Sequence, residues 1–147
     1  MTIRNTPAEA ARRAGLKPDK IPKAPPKPQA EAAISLAIRK WLASISALPT
    51  RVNSGQVQMA GRWIQLADAG TSDMLVALSV RCGDTKLAVF LAIEVKKPGG
   101  KVSTKQQEFI EKVNRLGGIA FWADSVVSAK AQLAAALTER QLELWTK

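Results

Sequence analysis

The sequence predicts an α/β domain: a central mixed sheet of four strands flanked by helices, in the order αβββαβα. Three observations carry this. Ile34, Ile38, Leu42 and Ile45 recur at helical spacing. MLVALSV (74–80) and LAVFLAIEV (87–95) are short apolar runs separated by a polar turn, the pattern of a buried hairpin. Two later segments open on serines that suit a helix N-cap, Ser103 and Ser125, with the apolar strand GIAFWA between them. Strands that read as apolar on both sides need helices on both faces.

In chain order, EAAISLAIRKWLASISA (31–47) reads as an amphipathic helix that Pro49 ends. RVNSG (51–55) is a short strand entering a turn. QVQMAGRWIQLA (56–67) reads as one strand, kinked or bulged at Gly61. DAGTSD is a loop, and the strands over 74–80 and 87–95 are joined by a turn with Gly83-Asp84 at its tip. KKPGGKV is a second loop. Ser103 caps STKQQEFIEKVNRLG, which Gly117 terminates. Ser125 caps a last helix that is expected to break near Thr138.

The bulk composition narrows the chemistry. A chain of 147 residues with 46% hydrophobic content suits one domain. Residues 1–30 differ from the rest, with seven Lys or Arg against two acids and a Pro/Lys-rich stretch. They are expected to form a basic, flexible arm preceding a domain over 31–147. There is no apolar run of about 18 residues, so no membrane span is expected. The N-terminal charges are not followed by an apolar block, so no secretory signal is expected, and the low cysteine content points to a reducing, cytosolic setting. The single cysteine, Cys82, excludes an intramolecular disulfide and a cysteine-based zinc site. With no histidine, imidazole bases and nearly all zinc or iron centres are excluded, leaving hard ions held by oxygen. A formal net charge of +10 favours a polyanionic partner, nucleic acid first.

The chemistry-bearing residues lie near one strand end. Side chains alternate along a strand, so Glu94 and Lys96 share a face. Pairing 73–80 with 86–96 about the 81–85 turn brings Asp73 close to Glu94 or Lys96. Burying a lone Glu or Lys costs several kcal/mol or more. A divalent ion held by Asp73 and Glu94, helped by the backbone carbonyl of Val95, would offset that cost. A structural Glu94–Lys96 salt bridge is the plainer alternative on these residues alone.

Several motifs in order resemble the VRR-NUC (virus-type replication-repair nuclease) branch of the PD-(D/E)XK nuclease superfamily. Glu31 opens the first helix. RVNSG resembles the family's Arg-x-Asn-x-Gly step, GTSD (70–73) its Gly-x-Pro-Asp with Ser72 in the proline's place, and IEVK (93–96) its Glu-x-Lys. STKQ (103–106) resembles its Ser-x-x-Gln, followed by RLGG and IAFWADS, so the likeness spans about residues 31–137. The resemblance implies a restriction-endonuclease-like core. It implies Asp73 and Glu94 as ligands to Mg2+ or Mn2+, with Glu31 assisting metal or water. Lys96 would orient the water or balance charge, and Gln106 would face the site. It further implies a DNA endonuclease acting on branched DNA such as Holliday junctions, as a homodimer of phage or prophage type in the host cytoplasm, with no small-molecule cofactor. Arg51, Asn53, Lys97, Lys101, Ser103 and Lys105 are candidate DNA contacts. Trp41, Trp63 and Trp122 are expected in the core, and Trp145 in tail packing or an oligomer contact. The competing function is a non-catalytic basic nucleic-acid-binding protein on the same fold.

Overall fold

A computed structural model describes residues 30–53 and 55–146. The elements run α1 (Ala30–Ala43), β1 (Ala47–Arg51), β2 (Gln56–Met59), β3 (Arg62–Gln65), β4 (Met74–Cys82), β5 (Thr85–Val95), α2 (Thr104–Arg115), β6 (Ile119–Ala123), α3 (Val126–Glu139) and β7 (Glu143–Leu144). The expected flexible arm lies outside the described residues, except that Ala30 begins α1.

The main sheet has five strands in the path β1-β4-β5-β6, with β7 pairing β4 beyond the end of β1. β1, β5 and β7 run antiparallel to β4, while β6 is parallel to β5, so the sheet is mixed as expected. The β4–β5 hairpin has the anticipated register, with Met74 opposite Ile93 and Cys82 opposite Thr85. Alternation sends Met74, Val76, Leu78 and Val80 of β4 to one face, where they join Leu91 and Ile93 of β5. Ile38 and Leu42 of α1 and Ala129, Leu133 and Leu137 of α3 complete this core. Each fully buried aliphatic side chain there contributes about 1.5–3 kcal/mol. The opposite face holds a smaller cluster, in which Ile110 and Val113 of α2 cover Ala92 and Ala120.

The departures from expectation have local causes. α1 ends at Ala43 rather than at Pro49. Ser44 and Ile45 donate backbone N–H groups to the carbonyls three residues back, tightening the last turn. Pro49 instead lies within β1, opposite Val76. β1 pairs only with β4 over these residues, and proline, lacking an N–H, is tolerated on such an edge. Residues 56–67 are not one kinked strand but a separate hairpin. Ala60 (φ 49°) and Gly61 (φ 76°) both have positive φ, as a two-residue type I′ turn requires. By contrast, α3 ends at Glu139, close to the expected break near Thr138, with the Arg140 N–H donating to the Ala136 carbonyl and the Gln141 N–H to the Thr138 carbonyl. β7 was not anticipated. Beside it, Trp145 donates its N–H to the Ser79 carbonyl at 3.0 Å. The Lys86 ammonium lies 5.2 Å from the Trp145 ring, so this tryptophan serves in tail packing. Among the described residues no helix is long and apolar enough to cross a membrane.

Candidate active site

Two strands and two helices bring the site together at one end of the sheet. Asp73 precedes β4 directly, and one register step beyond the Met74–Ile93 pair sets it beside Glu94. The Val95 N–H donates to Asp73 Oδ2 at 3.0 Å. On its other side, Val52 donates its N–H to the Asp73 carbonyl at 2.8 Å. Asp73 is thereby held by the chain on both sides, half-buried.

Glu94 is 1% exposed, one of two buried polar side chains among the described residues. It shares the α2-facing side of β5 with Ala92. Its Oε1 accepts from Lys96 Nζ at 2.7 Å and from Gln106 Nε2. Gln106 reaches it because α2 begins with a capping box. The Ser103 hydroxyl accepts from the Gln106 N–H, and the Ser103 N–H donates to Gln106 Oε1 at 2.9 Å. Both ends of the Gln106 amide are therefore committed, and the rotamer is fixed.

Glu94 Oε2 is buried with no hydrogen-bond partner among the described residues. A carboxylate oxygen left in this state costs stability unless something supplies positive charge. Burial raises the Glu94 carboxyl above its ordinary range, and the Asp73 charge adds to this. The Lys96 hydrogen bond and charge work in the opposite direction without cancelling it. For Lys96, burial alone would lower the ammonium. The hydrogen bond to Glu94 and the charges of Glu94, Asp73 and Glu31 outweigh it, and the net shift is upward. Lys96 is thus a firmly charged cation in this arrangement.

The donor set suits a hard divalent ion. It consists of an orphaned buried oxygen on Glu94, a carboxylate on Asp73 and no sulfur or imidazole. No group of three His, Cys, Asp or Glu side chains that could enclose a metal occurs among the described residues. Such an ion would complete its shell with backbone, water or phosphate oxygens, as magnesium commonly does.

Glu31 stands one step away. From the first turn of α1 its Oε1 accepts from the Lys97 N–H at 3.1 Å, tying that helix to the loop after β5. Val95 contributes its N–H to Asp73. Lys97, Lys101, Ser103, Lys105, Arg51 and Asn53 are exposed around this end of the molecule. Arg51 pairs with Met74, next to Asp73. Lys105 also packs through its backbone. A Cβ on Gly70 (φ +93°) would stand 2.6 Å from the Lys105 carbonyl oxygen, so only glycine lets this loop lie against α2.

Two tryptophans depart from expectation. Trp63 is 68% exposed on the β2–β3 hairpin, and Trp122 is 41% exposed, in register with Glu94. The hairpin leaves the sheet and so offers Trp63 no core. Trp41 packs against the main core as expected. Ser72, in the place of the family's proline, is fully buried, and its hydroxyl has no hydrogen-bond partner among the described residues. Alternation and hairpin register were enough to place Asp73, Glu94 and Lys96 close together. The Val95 N–H and the Trp122 neighbour carried no sequence signal, because both depend on where a loop and a parallel strand dock.

A mixed sheet between helices, with two acids and a lysine gathered at one strand end, defines a restriction-endonuclease-like fold. Residues 56–126 match the family model of the VRR-NUC domain, a nuclease family, and that segment contains Asp73, Glu94, Lys96 and Gln106. That segment is therefore similar to a VRR-NUC domain, the family that the motifs resemble. No curated protein and no solved structure gave a match.

Proposed function

We propose that the chain is a divalent-metal-dependent DNA endonuclease that cuts branched DNA, in the manner of a junction-resolving enzyme, as a homodimer. The observation that carries this is the unpartnered Oε2 of buried Glu94, beside Asp73 and Lys96. A merely structural Glu94–Lys96 pair would favour a fully satisfied carboxylate. Asp73 and Glu94 would hold Mg2+ or Mn2+, with the Val95 carbonyl and, indirectly, Glu31 as further donors. When bound, such an ion supplies charge neutralisation on the phosphate and acidifies a nearby water.

The chain's own residues do the rest. Gln106 holds Glu94 by Oε1 and leaves Oε2 as the oxygen that would take the ion. The Val95 N–H fixes Asp73. Lys96, kept protonated, serves as a cation rather than a base, orienting the attacking water and offsetting charge that builds on the phosphate. The attacking water releases a proton to solvent as its oxygen bonds to phosphorus, one ester P–O bond breaks, and the departing oxygen takes up a proton from solvent. Arg51, Asn53, Lys97, Lys101 and Lys105, with the amides capped by Ser103, would grip flanking phosphates. Paired incisions across a branch need two sites related by a two-fold axis, which a homodimer provides. Acting on DNA, the protein would work in the cytoplasm, that of a bacterial host if it is phage or prophage encoded.

The test is cleavage of a labelled four-way junction beside matched linear duplex, in magnesium, manganese and chelator, with Glu94→Gln as control. Metal-dependent, symmetric cuts near the branch point are expected. Equal cutting by Glu94→Gln would overturn the assignment. No cutting in any metal, with binding intact, would leave a non-catalytic DNA-binding protein.

A further inference from the structure

The β2–β3 hairpin is a two-stranded sheet of its own, apart from the five-stranded sheet. Of its strand residues only Val57 is half-buried, and the rest are exposed. A hairpin of two strands is marginal in water without something to pack against. Its two faces differ. Val57, Met59, Arg62 and Ile64 alternate onto one. Trp63 stands opposite Gln58 on the other, together with Gln56 and Gln65. The ring, 68% exposed, is framed by amides and does not belong to the apolar stripe.

The hairpin is rooted at the candidate site. Leu66 donates its N–H to the Gly55 carbonyl at 3.0 Å and closes its base, and Val52, just before it, bonds to Asp73. From Val52 to the turn at Ala60 the chain can extend at most about 29 Å. Between Ala47 and Ala67 the sequence has Arg51 and Arg62 and no Asp or Glu. A second copy of this chain would bring another +10 to a segment that is already cationic. An occupant with negative charge and flat π-faces suits it better, and a nucleic-acid base stacks on exposed aromatic rings in this way. In continuous duplex the base faces are already stacked on one another, so a free face exists only where the strands separate.

We propose that Trp63, presented by the β2–β3 hairpin, stacks on an unpaired DNA base near the phosphodiester that the site at Asp73 and Glu94 would cut. The hairpin then selects strand-separated DNA over continuous duplex. This rests on the reading that the chain acts on DNA and names the feature of that DNA that it recognises.

The experiment compares affinity for a labelled forked duplex with unpaired arms against a blunt duplex of the same paired sequence, at one salt concentration, in chelator. Wild type, Trp63→Ala and Trp63→Phe are measured, with sedimentation of each. Wild type should prefer the fork. Trp63→Ala should reduce that preference by about 5- to 150-fold, the range for one base–aromatic stack, and Trp63→Phe should restore most of it. Equal weakening on both DNAs, or no change, would overturn the proposal. So would a dimer that Trp63→Ala turns into a monomer, which would make a second copy the occupant. Cleavage by wild type in magnesium is scored separately. If wild type cuts and the preference does not depend on Trp63, this inference fails alone. If wild type never cuts but the preference collapses in Trp63→Ala, the nuclease reading fails and the stacking stands.

Discussion

Gln106 donates its side-chain N–H to Oε1 of Glu94, while its own carbonyl oxygen is held by the N–H of Ser103. One residue thus closes the N-terminus of α2 and decides which oxygen of a buried carboxylate is left free. Helix capping and site geometry share a side chain, and mutation can separate them. Ser103→Ala removes the hydroxyl cap but leaves the N–H that orients Gln106, so it should cost about 1 kcal/mol of stability. Gln106→Ala should cost a similar amount and also reduce cleavage by at least tenfold more than Ser103→Ala. Chemical denaturation and cleavage rates measured together would check this. Parallel losses of rate in the two variants would contradict it.

Lys96→Ala leaves Glu94 buried without its cation. The variant should lose cleavage while still binding DNA. Its stability should also acquire a pH dependence of definite sign. Glu94 is already raised in the fold, chiefly by burial, and loss of Lys96 raises it further. A carboxyl whose folded value exceeds its unfolded one binds its proton more tightly in the fold. Its contribution is then fully present below the unfolded value and is lost as pH rises through the folded value. Lys96→Ala should therefore melt well below wild type near neutral pH, approaching a deficit of about 3–5 kcal/mol, and recover in mild acid. Melting curves across that range that keep a constant gap from wild type would refute it.

Asp73→Asn keeps an acceptor for the Val95 N–H and removes one negative charge next to Glu94. Without metal the variant should melt higher than wild type by about 2–4 °C, the equivalent of about 1 kcal/mol. Added magnesium should raise the melting temperature of wild type and not that of the variant. A metal response in Asp73→Asn equal to that of wild type would remove Asp73 from the ligand set.

Ser72 invites the opposite kind of change. Its hydroxyl is buried without a partner among the described residues, so Ser72→Ala should stabilise the fold by about 1 kcal/mol. Urea unfolding would measure it. A loss of comparable size would show that the hydroxyl has a partner after all.

Much of the architecture was legible in the residues. The alternation of IEVK set Glu94 and Lys96 on one face, and the turn at Gly83-Asp84 fixed the register that brings Asp73 to them. Ser103 and Gln106 stood at capping-box spacing. What escaped depended on context. Ala60-Gly61 lacks the Asn-Gly or Asp-Gly signature of a tight hairpin, so two strands read as one with a kink. Pro49 reads as a helix stop because sequence does not show that β1 will be an edge. β7 spans two residues, Glu143 and Leu144, too few for any periodicity. Trp63 looked like core because a large aromatic usually is, and only the departure of its hairpin from the sheet exposes it.

The site is assembled from chain segments that meet late. Asp73 and Glu94 come together once the β4–β5 hairpin closes. Gln106 must then arrive with α2, and the Lys96 N–H finds the Ala123 carbonyl only after β6 has paired. A nascent chain that ends before β6 has its acids but lacks the strand that pairs with β5 beside Glu94 and the bond that holds the Lys96 backbone. For the nuclease proposed above, synthesis itself would be a safeguard, with cutting competence expected only once the fold is complete.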